Sequence, residues 1–569
     1  MRILLLTHSF NSLTQRLFAE LKTDGHAVSV EFDIADSVTE EAVALFAPDV
    51  IVAPFLKRAV PESVWREHLT LIVHPGIVGD RGPSALDWAI MNGEPDWGVT
   101  VLQAEAGMDA GPVWATRGFP MRPASKASLY RNEVTAAAVA GVREALDRVA
   151  GWRRGDWAPV RPDRWPQARG QWRDPMRQPD RRIDWTRDDT ATVLRKIRAA
   201  DGFPGVADTL FGEPCHLFDA RAGSGQGAPG EVIGRRHGAV LRATVDGAVW
   251  IGHVKRGGSD APYKLPVTVA FAEATAGVPE VGADEEIRYR ESDDGRIGLL
   301  SFDFYNGAMG TDQCRRLEAA IREAGRRATQ VLVLEGGRDF WSNGIHLNLI
   351  EAADSAADVS WDNIQAMDDV CLAILAMTDK RTVATLRGNA GAGGCFLALC
   401  ADLVWAREGV VLNPHYKNMG NLFGSEYWTY LLPKRVGEAR ARSIMEDRLP
   451  LLAKDAESQG LIDACFGNDV STFEAEVLKR VTVMAAEPGY AERLNDKKAA
   501  RERDEAIKPL SAYRQEELQH MNRNFFGFDP SYHVARYHFV ARTPLSWTPR
   551  HLAIHREIGW QVPQSAEAR

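Results

Sequence analysis

The sequence predicts a multidomain α/β protein. Three observations carry that expectation. Short apolar runs alternate with helical stretches up to about residue 150. Glycine-punctuated β-like pieces fill much of the stretch from Ile183 to about Arg290. A second α/β alternation begins near residue 295. At 569 residues the chain is too long for one core, and length alone suggests three or four domains.

In the first region the strands are RILLLT, HAVSVEF, DVIVAP, LTLIVH and GVTVLQAEAG. Helices are expected near Leu13–Lys22, Thr39–Leu45 and Ser84–Met91. This rhythm predicts a doubly wound parallel sheet. The loop after the first strand, THSFNS, lacks GxGxxG, which disfavours a nicotinamide dinucleotide site. From Gly151 to about Arg182 the composition turns to Arg, Pro and Trp. Interleaved basic and aromatic residues are compatible with single-stranded nucleic acid. The favoured reading is a linker wrapped on a domain surface, anchored by Trp and stiffened by Pro. A helix, DDTATVLRKIRAA, then precedes the strands GEVIGRR, AVLRATV and AVWIGHVKR, a pattern expected of a small barrel. The α/β segment from about 295 includes IGLLSFDF, QVLVLEGG and TVATLRGNAGAGGCFLALCADLVWA, and a charged helical stretch follows Pro488. The expected domains are 1–165, 166–290 and 291–569, the last with a C-terminal helical extension.

Composition excludes several classes. A net charge of −9 over this length gives no general attraction to nucleic acid or anionic membrane. The six cysteines form no CxxC pair and no Cys/His cluster with metal-ligand spacing, so no metal site is expected. They read as buried thiols in a reducing compartment. MRILLLTHSFNS has no small-residue cleavage site and reads as a first strand, and no window approaches the ~18 apolar residues of a membrane span. The expected location is cytoplasmic.

Two constellations carry chemistry. His74 ends the apolar run LTLIVH and is followed at once by Pro75-Gly76, which presents its imidazole at a strand's C-terminal edge. In open α/β sheets ligands bind at that edge. Asp109 lies in the Gly/Asp loop after the next strand, and two strands of a parallel sheet would bring it to the same edge. A carboxylate beside an imidazole orients it and favours its protonated form, a pairing suited to general acid–base work. Downstream, the run Gly388 to Cys395 sits between a strand and a helix, where backbone N–H groups can hold an oxyanion. DFWSNGIHLNLIEA, Asp339–Ala352, supplies another glycine turn before a helix.

Val73-His74 with its Gly-rich loop, GVTVLQAEAGMDAGPV, the stretch Ile183–Gly205 and APGEVIG together resemble the N10-formyltetrahydrofolate-dependent formyltransferases. The resemblance implies a Rossmann-like sheet followed by a small β-barrel domain. It assigns catalysis to His74 and Asp109, and folate binding to Phe55, Leu56, Ile72 and Arg81. That family reads Asn-x-His where this chain reads Ile72-Val73-His74, and its Asn donates to the formyl oxygen. Losing such a donor commonly lowers the rate on the order of 10²–10³-fold. The departure implies a weakened domain or a nucleophile easier than an amine, such as a thiol.

The second constellation, from about Ile297 to Arg480, resembles the crotonase (enoyl-CoA hydratase/isomerase) family. This implies coenzyme A binding, with Ser342, Gly344, Ile345 and Gly393 at the oxyanion site and the N–H groups of Ile345 and Gly393 polarising a thioester carbonyl. A hydratase's glutamate after Gly-Gly-Cys is replaced by Phe396, and its second falls near Pro414-His415-Tyr416. Water addition is therefore not expected. His415, Tyr416 and Glu426 remain as acid–base candidates, with Tyr416 and Glu426 favoured as a phenol–carboxylate pair.

The fusion resembles the HypX type of hydrogenase maturation factor. That implies formyl transfer from N10-formyltetrahydrofolate to coenzyme A, then decarbonylation of formyl-CoA to carbon monoxide and CoA. Hydrogenase maturation proteins that assemble the Fe(CN)2CO centre are the implied partners. Two alternatives stay open: an amine formyltransferase with a separate acyl-CoA activity, and a non-catalytic folate- and CoA-binding accessory protein.

Overall fold

The computed structural model describes residues 1–166, 168–258, 262–282 and 286–556. The chain forms two compact units. One comprises Met1–Arg177 with the segment from Pro544, and the other Gln178–Thr543.

The first unit is built on a six-stranded sheet: β1 (Arg2–Thr7), β2 (Ala27–Phe32), β3 (Val50–Phe55), β4 (Thr70–His74), β5 (Asp96–Gln103) and β6 (Val113–Pro120), in the order β2-β1-β3-β4-β5-β6. Ile3, Leu4, Leu5 and Leu6 are all buried, because helices cover both faces of the central strand. The helix Ser12–Thr23 starts where the Asn11 side chain accepts from the Thr14 N–H at 3.0 Å. The sheet is not wholly parallel as expected. The first four strands are parallel, whereas β5 pairs antiparallel with β4 and β6 antiparallel with β5. The Arg/Trp-rich stretch lies along this unit: Val113 and Val160 exchange backbone hydrogen bonds, and Arg81 receives one from Arg173 and gives one to Gln171.

β2 is an edge strand, and the C-terminal segment covers it. Val30 N–H donates to the Leu552 carbonyl at 3.0 Å and Phe32 N–H to Thr548 Oγ1 at 2.8 Å. The fully buried Glu31 carboxylate meets His555 Nε2 at 2.9 Å and Arg556 Nη2 at 2.6 Å, and accepts from the Thr548 hydroxyl. Ser29 Oγ lies 2.7 Å from His555 Nδ1. Sequence placed this segment with the last domain; its contacts are with β2 instead.

The second unit begins with β7 (Val206–Leu210), β8 (Glu213–Gly223), β9 (Val232–Arg236), β10 (Ala239–Ala243), β11 (Ala248–Arg256) and β12 (Leu265–Pro266). Their order is β7-β8-β11-β10-β9, with β12 on β11. The expected barrel is thus an open antiparallel sheet with β7 and β9 as edges. The helix Thr190–Ala200 substitutes for closure, burying Val193, Leu194 and Ile197 against Val206, Leu217 and Ile251.

The remaining strands are β13 (Ile287–Glu291), β14 (Ile297–Phe302), β15 (Val331–Glu335), β16 (Phe340–Ser342), β17 (Arg381–Leu386), β18 (Asn389–Gly391), β19 (Leu403–Ala406), β20 (Val411–Asn413), β21 (Leu451–Leu452) and β22 (Ala464–Cys465). They form two sheets, β13-β14-β15-β17-β19-β22 and β16-β18-β20-β21. The chain therefore steps repeatedly from the large sheet to the small one. β16 and β18 run parallel, Ser342 opposite Ala390, so the turns that follow them emerge at one edge. The helices Thr311–Arg326, Ala356–Leu375 and Leu510–Phe526 contribute Leu317, Ile321, Met367, Val370 and Met521 to the core behind that edge.

His555→Ala is expected to destabilise the first unit by about 3 kcal/mol, because it strips a partner from a buried carboxylate. Faster amide exchange in β1 and β2 would read it out. Burial pushes the Glu31 carboxyl up, but hydrogen bonds from His555, Thr548 and Arg556 outweigh it and hold the group below its ordinary 4.5. The contribution is therefore full above 4.5 and is lost as pH falls through the lowered value.

Candidate active sites

The first site stands where β4 ends. His74 is buried between two carboxylates: its Nδ1 lies 3.4 Å from Asp109 Oδ2 and its Nε2 3.3 Å from Asp80 Oδ1. Asp80 is fully buried and receives Arg173 Nε at 2.5 Å. The Arg173 guanidinium in turn covers the Trp97 ring, 5.3 Å from its centroid. Parallel strands do not bring His74 and Asp109 together. Thr100 of the antiparallel β5 faces His74, and the loop 104–112 folds back to carry Asp109 to the imidazole. That loop is pinned by Gly82 N–H, which donates to Asp109 Oδ2 at 3.1 Å, and by Arg81 Nε, which donates to the Met108 carbonyl at 2.9 Å. Gly76 is a necessity of packing, since a Cβ there would stand 2.2 Å from His74 Nε2.

Of the residues expected to bind folate, Ile72 precedes His74 by two on β4 and points to the same face. Leu56 and Ile72 pack against Leu4, Ile51 and Val60. Phe55 ends β3 edge-on to Tyr130 at 6.3 Å and to His8 at 6.1 Å. Arg81 is engaged with the Asp109 loop and stacks over Trp172 at 5.7 Å. Asp80 and Arg173 were missed from sequence. Asp80 looked like a turn residue, and Arg173 lies in the stretch read as a linker.

The second site forms where the two glycine turns meet. Gly344, with φ +79°, comes so close to the second turn that a Cβ would stand 3.4 Å from the Gly393 nitrogen. Gly393 opens the helix Gly393–Leu399, whose first N–H groups have no intrahelical acceptor. Ser342 Oγ accepts the Gly344 N–H at 3.1 Å. Ile345 is fixed by its neighbours: His346 N–H donates to Asn363 Oδ1 at 3.0 Å, and Asn363 Nδ2 donates to the Met309 carbonyl at 2.9 Å. Burial, with His253 adding to it, pulls the His346 pKa down to about 3. Its imidazole therefore stays neutral, and its Nδ1 accepts the Leu349 N–H at 3.2 Å.

Tyr416 and Glu426 meet at this edge. The phenol donates to Glu426 Oε2 at 2.6 Å, and both side chains are buried. Glu426 Oε1 stands where a Cβ on Gly393 would come within 2.0 Å of it, so the carboxylate lies directly against the Gly393 backbone. Phe396 stacks on Tyr416, centroids 5.4 Å apart and planes within 15°. Burial first, then the charge of Asp368, pushes the Glu426 carboxyl up to about 8 against the hydrogen bond from Tyr416. His415 is buried beside Tyr416, its backbone N–H donating to the Asn413 carbonyl at 2.8 Å.

Comparison with known proteins agrees with this division. A formyl transferase family model matches residues 11–146, a formyl transferase C-terminal domain model residues 175–262, and an enoyl-CoA hydratase/isomerase model residues 311–547. The hydrogenase maturation factor HoxX of Bradyrhizobium diazoefficiens is 54% identical over 98% of this chain and 97% of its own length. The chain belongs to the HypX/HoxX hydrogenase maturation factors. HypX of Aquifex aeolicus, crystallised with tetrahydrofolic acid, superposes with a TM-score of 0.94 at 49% identity, covering 99% of this chain and all of that one. The methionyl-tRNA formyltransferase of Ruegeria pomeroyi is 30% identical over 39% of this chain and 71% of its own. A HypX-type factor thus joins a formyltransferase part to a crotonase-like part on one chain.

Arg173→Met leaves Asp80 buried without its guanidinium, so Asp80 no longer fixes the imidazole. If His74 handles the proton of a formyl transfer, formyl release from N10-formyltetrahydrofolate is expected to fall about 10²-fold, the scale of a misplaced reacting group. Folate affinity, followed by ligand fluorescence, should hardly change.

Proposed function

We propose that this chain makes carbon monoxide for the [NiFe]-hydrogenase active site in two steps, using N10-formyltetrahydrofolate and coenzyme A. The observation that carries the reading is the buried Tyr416–Glu426 pair, 2.6 Å apart, lying against Gly393. Support for the folate step comes from the formyl transferase match and from the tetrahydrofolic acid bound by HypX of Aquifex aeolicus. Support for the thioester step comes from the enoyl-CoA hydratase/isomerase match and the two converging glycine turns.

In the first step the formyl carbon leaves N10 of folate and bonds to the CoA sulfur. His74 moves the proton from the attacking thiol to the departing nitrogen, and Asp109 and Asp80 hold the imidazole for it. Ile72 offers no hydrogen bond to the formyl oxygen. A thiol tolerates that loss better than an amine, because its thiolate is accessible near neutral pH. Phe55, Leu56 and Arg81 complete the folate side of the site.

In the second step the formyl oxygen takes the N–H groups of Ile345 and Gly393, in the pocket bounded by Ser342 and Gly344. Glu426 removes the formyl proton, the C–S bond breaks with its electrons on sulfur, and CO departs. Tyr416 protonates the thiolate and is reset by Glu426 along their hydrogen bond. The balance is formyl-CoA to CO and CoA. Gly393 suits the reaction because any side chain there would collide with the base. Phe396, in place of a hydratase glutamate, keeps the Tyr416 ring against an apolar face and discourages hydrolysis. The CO is destined for the maturation proteins that assemble the Fe(CN)2CO centre.

Anaerobic incubation with formyl-labelled N10-formyltetrahydrofolate and CoA should give labelled CO trapped on reduced haem. Absence of label on haem, with the formyl group consumed, would refute the second step. His74→Ala and Asp109→Asn should each abolish formyl loss while CoA still binds by calorimetry. Tyr416→Phe and Glu426→Gln conserve volume. They should stop CO release while formyl-CoA accumulates, seen by mass spectrometry. Because the Glu426 carboxyl titrates near 8 and acts in its ionised form, CO release should rise with pH and level off above that value.

A further inference from the structure

Two buried carboxylates have no part in the steps above. Asp368 lies on the helix Ala356–Leu375 and Glu517 on the helix Leu510–Phe526, and both are fully buried. They close on one turn. Asp368 Oδ1 accepts the Glu426 N–H at 2.8 Å. Glu517 Oε2 accepts the Tyr427 N–H at 2.9 Å, and Glu517 Oε1 accepts the Thr429 N–H at 2.8 Å and the Thr429 hydroxyl at 2.6 Å. The Ser425 hydroxyl stands between them, 2.9 Å from each Asp368 oxygen and 3.4 Å from Glu517 Oε2. Both central residues of this turn are left-handed without being glycine: φ is +60° at Glu426 and +59° at Tyr427. Such a conformation persists only where the surroundings over-determine it.

We propose that Asp368 and Glu517 are positioning residues for Glu426: from two helices they grip the 425–429 turn, hold its left-handed backbone, and aim the Glu426 carboxylate between Gly393 and Tyr416. Ser425 ties the grips together. The proposal deepens the reading of this site as the decarbonylating one and rests on it for its catalytic meaning.

The grip has an electrostatic consequence. The groups acting on Glu426 are Tyr416 on its own loop, Asp368 and Cys371 on one helix, Glu517 on another, and Cys314 on the helix Thr311–Arg326, with Asp369 and Arg514 behind Asp368. Arg514 is the cation among them, 3.6 Å from Asp368 Oδ2 and 2.7 Å from Asp369 Oδ1. It favours the charged form of Asp368, whose carboxyl burial lifts to about 6. Just above that value Asp368 is already charged beside a Glu426 that still holds its proton. The positioning residue therefore adds to burial in raising the pH at which the base becomes available.

Infrared difference titration of the full chain reads the Glu426 carboxyl directly, with the band assigned by its loss in Glu426→Gln. In Asp368→Asn its midpoint should fall by about one unit, the scale of removing a neighbouring like charge. Glu517→Gln should move it the same way by less. Both should lower kcat for CO release several-fold with KM unchanged. A folded Asp368→Asn variant with an unmoved midpoint and wild-type kcat would overturn the proposal. If the helix variants do not fold, Ser425→Ala removes one hydroxyl only. It should lower kcat with KM held, and wild-type kcat there counts against the grip. A shifted midpoint in a protein that makes no CO would instead leave the positioning intact and refute the decarbonylase reading.

Discussion

Glu426 and Tyr427 are consecutive non-glycine residues with left-handed backbone, and the first carries a carboxylate buried against a helix N-terminus. Each such residue costs about 1–3 kcal/mol in backbone energy. An unpaired buried carboxylate would cost more and would neutralise by taking up a proton. The chain offsets both with hydrogen bonds from neighbouring elements. Asp368 and Glu517 take the turn's N–H groups, Tyr416 donates to the carboxylate, and Gly393, lacking a Cβ, leaves room for it. The helix Leu510–Phe526 is therefore part of the site, since it supplies Glu517 and Arg514. Tyr416 is held the same way, with Phe396 on one face and Gly424 admitting the ring on another, where a Cβ would stand 2.1 Å from it.

The first site solves a similar problem with a histidine. A buried imidazole can rotate and change tautomer unless a ring nitrogen is engaged. Here Asp80 takes Nε2 while Arg173 keeps Asp80 in place, and Asp109 stands 3.4 Å from Nδ1. The substitution of a formyl-oxygen donor by Ile72 leaves this imidazole geometry intact and removes polar help only on the oxygen side. That is the pattern expected when the acid–base part of a reaction is kept and the nucleophile becomes easier.

Much of this was legible in the sequence. His74 announced itself by ending an apolar strand before Pro-Gly, and Gly388 to Cys395 by lying between strand and helix. Tyr416 and Glu426 were legible as a possible phenol–carboxylate pair among the three acid–base candidates of NPHYKNMGNLFGSEYW, the third being His415. The direction of β5 was not legible, since an apolar strand reads the same in either sense and only the connection decides its pairing. The open edge of the second sheet was hidden likewise, because closure depends on whether β7 and β9 reach each other. Asp368 and Glu517 escaped because a polar residue within an amphipathic helix reads as solvent-facing. Asp368 nevertheless sits beside Met367, two residues before Val370 and three before Cys371, on the buried side of its helix. A charge there signals a buried partner, and in Arg173 the same signal was masked by the basic residues around it.

The closing segment adds a constraint on how the chain becomes functional. β2 is completed by residues 548–556, more than 500 positions later, and Glu31 has its three side-chain partners only from that segment. A chain that has made only the first unit's sheet holds a buried carboxylate without partners and an uncovered strand edge, the features that invite misassociation. The first unit therefore reaches full stability only after residues 548–556 are made, although domains made first commonly fold first. Covalent order thus makes the formyltransferase part depend on synthesis of the crotonase-like part. A truncated chain lacking the second part would also lack the strap that finishes the first. The two parts are tied in stability as well as in sequence.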